Sequence, residues 1–278
     1  MDNPKKTILV PWDFTEKAEF AFAHALNVAK ATGNTISLLH IVKTDREVDL
    51  ARRKVESSAD ALKQRYQVKP YALVKKGDIF RTISHAATEH NAEMVIMGTH
   101  GIKGMQKLTG SWALKVIVKS KIPFMVVQKA PDSPSYNKVV FPIDYKKENK
   151  EKIKWSSFIS KYFKVKFLLF TQNASDSGFK KKMAANLHFA KKYLDSNQFE
   201  FEVFNAPGKG DFAKETIEFA EREKADMIMV ITTRNIIFTD YMVGANEQKI
   251  LANQAQIPVL CVNPRPGKFS GSFSATGN

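Results

Sequence analysis

The sequence predicts an α/β protein made of two tandem copies of one open-sheet domain, each with five parallel strands. Three observations carry this expectation. The chain has 278 residues, 44% apolar and 26% charged, which is the size of one large or two ordinary domains and the composition of a globular protein. Four segments recur in the same order at offsets of 131, 133, 133 and 135 residues. Within each copy, short apolar runs alternate with longer stretches of helical periodicity, as in a parallel sheet covered on both faces by helices.

The repeat is explicit. "KTILVPWDF" from Lys6 returns as "KVVFPIDY" from Lys138, which aligns Asp13 with Asp144. "KKGDIFRTI" matches "GKGDFAKETI", aligning Gly77-Asp78 with Gly210-Asp211. "NAEMVIMG" is echoed by "KADMIMVI", and "IPFMVVQ" by "IPVLCVN". In the first copy the expected strands are Ile8–Pro11, Thr35–Val42, Val68–Val74, Met94–Met97 and Phe124–Val127. Between the first two, "AEFAFAHALNVAKATG" has helical spacing and stops at Gly33. "DIFRTISHAATEHN" repeats the pattern, with Asp78 placed to cap its first turn. Each copy therefore reads β-α-β-α-β-α-β-α-β. Residues 1–130 form the first domain and the Pro/Ser-rich segment 131–137 the linker. Residues 138–265 form the second domain, and 266–278, which lack a periodic apolar face, a mobile tail.

Composition narrows the function classes. A single cysteine, Cys261, excludes an intramolecular disulfide framework, and its strand-like neighbours suit a buried thiol. The chain reaches an apolar strand by Ile8, leaving no room for a signal peptide, and no apolar run has membrane-spanning length. A reducing cytoplasm is the expected compartment. The net charge of +15 divides almost evenly between the halves. Without a nucleic-acid motif, that balance is read as a generally basic solvated surface and argues against a nucleic-acid partner.

The most informative stretch is "MVIMGTHGIKGMQKLTGSWALKVI" from Met94 to Ile117. It leaves an apolar strand, passes four glycines, and resumes as a helical pattern at Ser111. In an open parallel sheet, ligands bind beyond the carboxyl ends of the strands, where the strand order reverses. Gly98 and Gly101 would let backbone amides approach an anion, and Gly110-Ser111 would place amides and a hydroxyl at a helix N-terminus. Lys103 and Lys107 add positive charge, so the chemistry suits a polyphosphate. The P-loop pattern fails because Ser111, not lysine, follows Gly110. The dinucleotide pattern fails because the first turn, "VPWDFTEKAEF", holds no glycine.

These residues resemble the universal stress protein family. Its nucleotide-binding members carry glycine, two residues, glycine, nine residues, then glycine followed by Ser or Thr. Gly98, Gly101, Gly110 and Ser111 follow that order, with eight residues in the longer gap. The resemblance extends to Pro11-x-Asp13, to His40-Ile41-Val42 and to Gly77-Asp78, and over both copies. It implies two tandem Rossmann-like domains of the adenine nucleotide alpha hydrolase-like kind, five parallel strands each, in order 3-2-1-4-5. It further implies that the fifth strands, Phe124–Val127 and Val259–Val262, meet in an intramolecular pseudo-dimer. A homodimer of tandem chains is compatible with it.

By the same resemblance, Pro11 and Asp13 end strand 1, with Asp13 accepting hydrogen bonds from ribose. The Ile41 backbone would meet the adenine edge, and Met97 would pack near the base. Gly98, Gly101, Gly110, Ser111 and the Trp112 amide would hold ribose and phosphates, with His100 in reach of a phosphate. ATP is the implied ligand, together with Mg²⁺ on its phosphates. Simpler readings stand beside these: Asp13 as a helix cap, His100 as an exposed loop residue, Trp112 and Met97 as packing residues. No catalytic constellation emerges, and slow ATP hydrolysis is the most the residues would support. The second copy carries Thr232, Arg234 and Asn235 where the first has glycines. It reads as a structural or regulatory partner without a nucleotide site. The resulting expectation is a nucleotide-responsive stress or regulatory binding protein; the alternative is a scaffold of the same fold that binds no nucleotide.

Overall fold

The computed structural model describes residues 6–99, 116–117, 120, 122–146, 149–231 and 246–263. Ten strands form one continuous sheet. In the first half these are β1 (Thr7–Pro11), β2 (Thr35–Val42), β3 (Tyr71–Lys76), β4 (Ala92–Gly98) and β5 (Phe124–Val127). In the second they are β6 (Lys138–Ile143), β7 (Lys166–Thr171), β8 (Glu200–Asn205), β9 (Met227–Ile231) and β10 (Val259–Val262). Their spatial order is β3-β2-β1-β4-β5-β10-β9-β6-β7-β8, so each half has the order 3-2-1-4-5 and the second is the reverse of the first across the seam. All pairings within a half are parallel. The central pairing, β5 with β10, is antiparallel, with Met125 opposite Leu260.

Helices cover both faces. α1 (Glu16–Thr32) and α2 (Val48–Tyr66) lie on one side of the first half, and α3 (Ile79–Glu89) on the other. The second half repeats this with α4 (Asn149–Ile153), α5 (Ser156–Ser160) and α6 (Ser177–Ser196) against α7 (Phe212–Arg222) and α8 (Asn246–Leu251). The caps act where the sequence placed them. Gly33 is left-handed at φ 74° and its N–H bonds to the Ala29 carbonyl. Asp78 accepts from the Phe80 and Arg81 amides, and Asp211 does the same for Ala213 at the start of α7.

Two elements depart from expectation. Strand 3 begins at Tyr71, not Val68: Gln67 turns left-handed to end α2, and Pro70 has no N–H to join the ladder. The first helix of the second half is broken into α4 and α5, where the Ser156 hydroxyl donates to the Ile153 carbonyl and Trp155 N–H bonds only three residues back.

The seam explains why β5 and β10 are uninterrupted apolar runs, since all eight residues are buried, Cys261 among them. Side-chain amides reinforce it from both sides. Gln128, just after β5, donates to the Asn253 carbonyl at 2.9 Å. Asn263, just after β10, donates to the Ser120 carbonyl at 2.7 Å and to the Ile117 carbonyl. Gln128 and Asn263 occupy equivalent places in the repeat, 135 residues apart, so the two halves contribute matching amides to the clasp.

Candidate functional site

β1 is flanked by β2 and β4, and the strand order reverses between β1 and β4. Past their carboxyl ends lies a cleft of about 100 Å³. Five of the residues expected at a site line it together: Pro11 and Asp13 from the end of β1, Ile41 from β2, Met97 and Gly98 from β4. His100, Gly101, Gly110, Ser111 and Trp112 lie outside the described residues, as do Thr232 to Ala245 of the second copy and the tail. Sequence reasoning did not select Ile79 and Ile83, which wall the cleft from α3, or Ala18 from α1. The i,i+4 spacing of the two isoleucines on an amphipathic helix was the available signal.

Local chemistry fixes the cleft's rim. The β1 ladder runs one residue beyond Pro11, with Trp12 N–H donating to the Leu39 carbonyl at 2.7 Å. The Trp12 carbonyl in turn accepts from His40 Nδ1 at 2.7 Å, which places that ring's proton on Nδ1. Phe14, in the left-handed region at φ 64°, rests on the His40 ring with centroids 4.8 Å apart. Asp13 Oδ1 accepts from the Thr15 amide at 3.1 Å and from its hydroxyl at 2.6 Å. Thr15 then caps α1. Asp13 therefore sets the helix entry through one oxygen, while Oδ2 has no hydrogen-bond partner among the described residues. At the same end of the sheet, the buried Trp12 Nε1 and Thr99 Oγ1 also lack a partner among those residues.

Gly98 has a packing reason of its own. A Cβ there would lie 2.1 Å from the Lys17 carbonyl oxygen, so glycine is what lets the first turn of α1 close against the end of β4. Lys17, drawn in by that contact, reaches the Gln128 carbonyl at 2.7 Å.

The equivalent crevice of the second half is different. Only about 40 Å³ remains between Pro142, Asp144, Phe212 and Val230. Lys152 fills it: its side chain is buried, its ammonium donates to the Pro142 carbonyl and sits 4.5 Å from the centre of the Phe141 ring. Asp144, the counterpart of Asp13, is bound internally by the Asn149 amide at 2.6 Å and the Lys146 N–H at 2.9 Å. Asn186 ties the same turn to α6 through the Asp144 and Lys146 carbonyls.

Comparison with known proteins agrees with this architecture. Residues 5–128 match the universal stress protein family. The universal stress protein MJ0531 of Methanocaldococcus jannaschii is 27% identical over 144 residues, covering 46% of this chain and 85% of that protein. A universal stress protein crystal structure from Archaeoglobus fulgidus superposes with a TM-score of 0.73 at 18% identity, over 94% of this chain and 99% of that one. A putative universal stress protein from Pseudomonas aeruginosa gives 0.62 at 14% identity, over 94% of each chain. At those identities the two structures speak for the fold, and they do so for both halves. The first half thus carries the sequence match to the universal stress protein family, and the repeated fold is the one seen in solved universal stress protein structures.

Proposed function

We propose that the first half binds one adenine nucleotide, ATP with Mg²⁺, and that the bound nucleotide regulates how the protein associates with its partners. The observation that carries this reading is the convergence of Pro11, Asp13, Ile41, Met97 and Gly98 on one cleft at the switch point. A cleft of about 100 Å³ is below the ~300–1,000 Å³ usual for whole-ligand pockets, so on this reading only the base end of the nucleotide would enter it. The rest of a nucleotide would extend past Gly98 toward the glycine-rich segment. Asp13 Oδ2 is the acceptor available for a ribose hydroxyl. Among the described residues no group of three His, Cys, Asp or Glu could hold a metal, so Mg²⁺ would ride on the phosphates. A reducing cytoplasm suits the single buried cysteine. No helix of the described residues is long and apolar enough to cross a membrane.

Regulation follows from connectivity. The glycine-rich segment leads in sequence to β5, and β5 pairs with β10 across the seam. A ligand that binds one arrangement of this segment better than another would bias the seam without any chemical step. Titration calorimetry with MgATP tests the reading. One site per chain is expected, weakened in Asp13→Asn, which keeps the Thr15 turn but loses the charge, and unchanged in Asp144→Ala. Two equivalent sites would refute the asymmetry. No heat and no retained nucleotide would leave the scaffold reading, which the shortened Gly101–Gly110 spacing favours. Hydrogen exchange with MgATP should alter protection at Phe124–Val127 and Val259–Val262; a change confined to the cleft would end the switch idea.

A further inference from the structure

The even division of charge between the halves hides a polarity inside the second. Residues 144–197 carry thirteen lysines and five acidic residues, whereas 198–263 carry six basic and ten acidic. The first segment supplies α4, α5 and α6 on one face of the sheet, and the second supplies α7 and α8 on the other. Apart from Lys152, which is buried in the crevice, and Lys166, which pairs with Glu200 and Glu202, these lysines give one face of this half a basic excess, and its reverse is acidic.

The basic face is continuous. α6 is its spine: Lys180, Lys181 and Lys182 stand in its first two turns, and Lys191 and Lys192 lie eleven residues beyond the first two. Eleven residues are about three turns, so Lys180 aligns with Lys191 and Lys181 with Lys192, about 16 Å apart along the axis. All five are exposed, and none has an ion pair among the described residues. The neighbouring elements lie alongside. Lys150 of α4 sits 5.7 Å over the Phe189 ring, and the Ser157 hydroxyl of α5 bonds to that of Tyr193 at 2.8 Å. Of the acids on these elements, Asp176 caps α6 through the Phe179 amide and Asp144 is held as described above, while Asp195 is exposed on α6 one turn beyond Lys191.

At one end of this row is an aromatic platform. Tyr145 and Phe179 are stacked with centroids 4.3 Å apart and planes within 15°. They are 37% and 40% exposed, and Lys182 lies 5.8 Å from the Phe179 ring. The apolar residues of α6, by contrast, face inward at Met183, Ala190 and Leu194. A membrane-surface helix would need an outward apolar stripe, which α6 lacks. Exposed stacked rings beside unpaired lysines are the chemistry of a strand that offers both phosphates and bases.

We propose that the α4–α6 face binds single-stranded nucleic acid, its phosphates along the α6 lysines and a base on the Tyr145–Phe179 stack. This is independent of nucleotide binding in the first half. The test is fluorescence anisotropy of a labelled single-stranded RNA with the full chain. With five phosphate contacts, affinity should fall about a hundredfold between about 50 and 200 mM KCl. Reversing Lys180, Lys181 and Lys182 to Glu should weaken binding at least tenfold and lower the log–log salt slope by about 2. Reversing Arg52, Arg53 and Lys54 on α2 makes the same charge change elsewhere and should cost less than about threefold at physiological salt. Tyr145→Ala with Phe179→Ala should weaken binding about fivefold or more and leave the salt slope unchanged. All these side chains are exposed, and unchanged circular dichroism would verify folding. Equal losses from the α6 and α2 reversals, full affinity after the α6 reversal, no measurable RNA binding, or binding to anionic phospholipid vesicles alone would each overturn the proposal.

Discussion

Acidification should loosen the junction between the halves through one histidine. His24, on α1, is buried at 1% exposure with both ring nitrogens engaged. Nε2 lies 3.2 Å from the Lys129 carbonyl, which can only accept, so Nε2 carries the proton. Nδ1 then accepts from the Tyr136 hydroxyl at 2.7 Å. Tyr136 belongs to the segment that joins the halves and Lys129 lies just before it, and the Asn27 amide adds a third tie at the Ser133 carbonyl. Burial pushes the imidazole from 6.5 down to about 4, with the Lys129 hydrogen bond opposing only part of that shift. The unfolded chain therefore binds a proton more readily than the folded one, and stability falls as pH drops from about 6.5 toward 4. Linkage with those two values gives a loss of about 2 kcal/mol at pH ~5 and a limit of about 3 kcal/mol below both.

Urea denaturation of wild type and His24→Gln over pH ~8 to ~5 isolates the effect, because every other titrating group is common to both chains. The wild type should lose about 2 kcal/mol more than the variant across that range. Parallel stability curves would refute the reasoning, and so would an NMR titration of His24 with a midpoint near its ordinary value.

Gly98→Ala should destabilise the fold by about 1–3 kcal/mol even without nucleotide, because the new methyl meets the Lys17 backbone and not a movable side chain; thermal denaturation of the ligand-free protein checks it, and an unchanged Tm would contradict the packing account. Gln128→Leu removes the buried donor to the Asn253 carbonyl and should cost about 1–3 kcal/mol by urea titration, with a neutral result showing that the clasp contributes nothing.

The repeat, the strands and the helix ends were legible because they rest on local rules. Gly33, Asp78 and Asp211 act on amides or carbonyls within four residues, and β5 and β10 declare burial on both faces by composition alone. The cleft was legible in part: Pro11, Asp13, Ile41, Met97 and Gly98 were named from resemblance to a motif, and the sheet order brings them together. The reason for Gly98 was not legible, since it depends on how closely α1 approaches β4. Nor was the filling of the second crevice, because the Lys152 ammonium finds the Pro142 carbonyl only once α4 has folded over β6. Charge told the same story twice over. Counted by halves it looked even, and the basic α6 face appeared only when the parallel crossovers sent α4–α6 and α7–α8 to opposite sides of one sheet. Sequence fixes what each segment can form through contacts a few residues apart, while packing decides which distant groups share a surface and which glycine, lysine or amide has no room to be anything else.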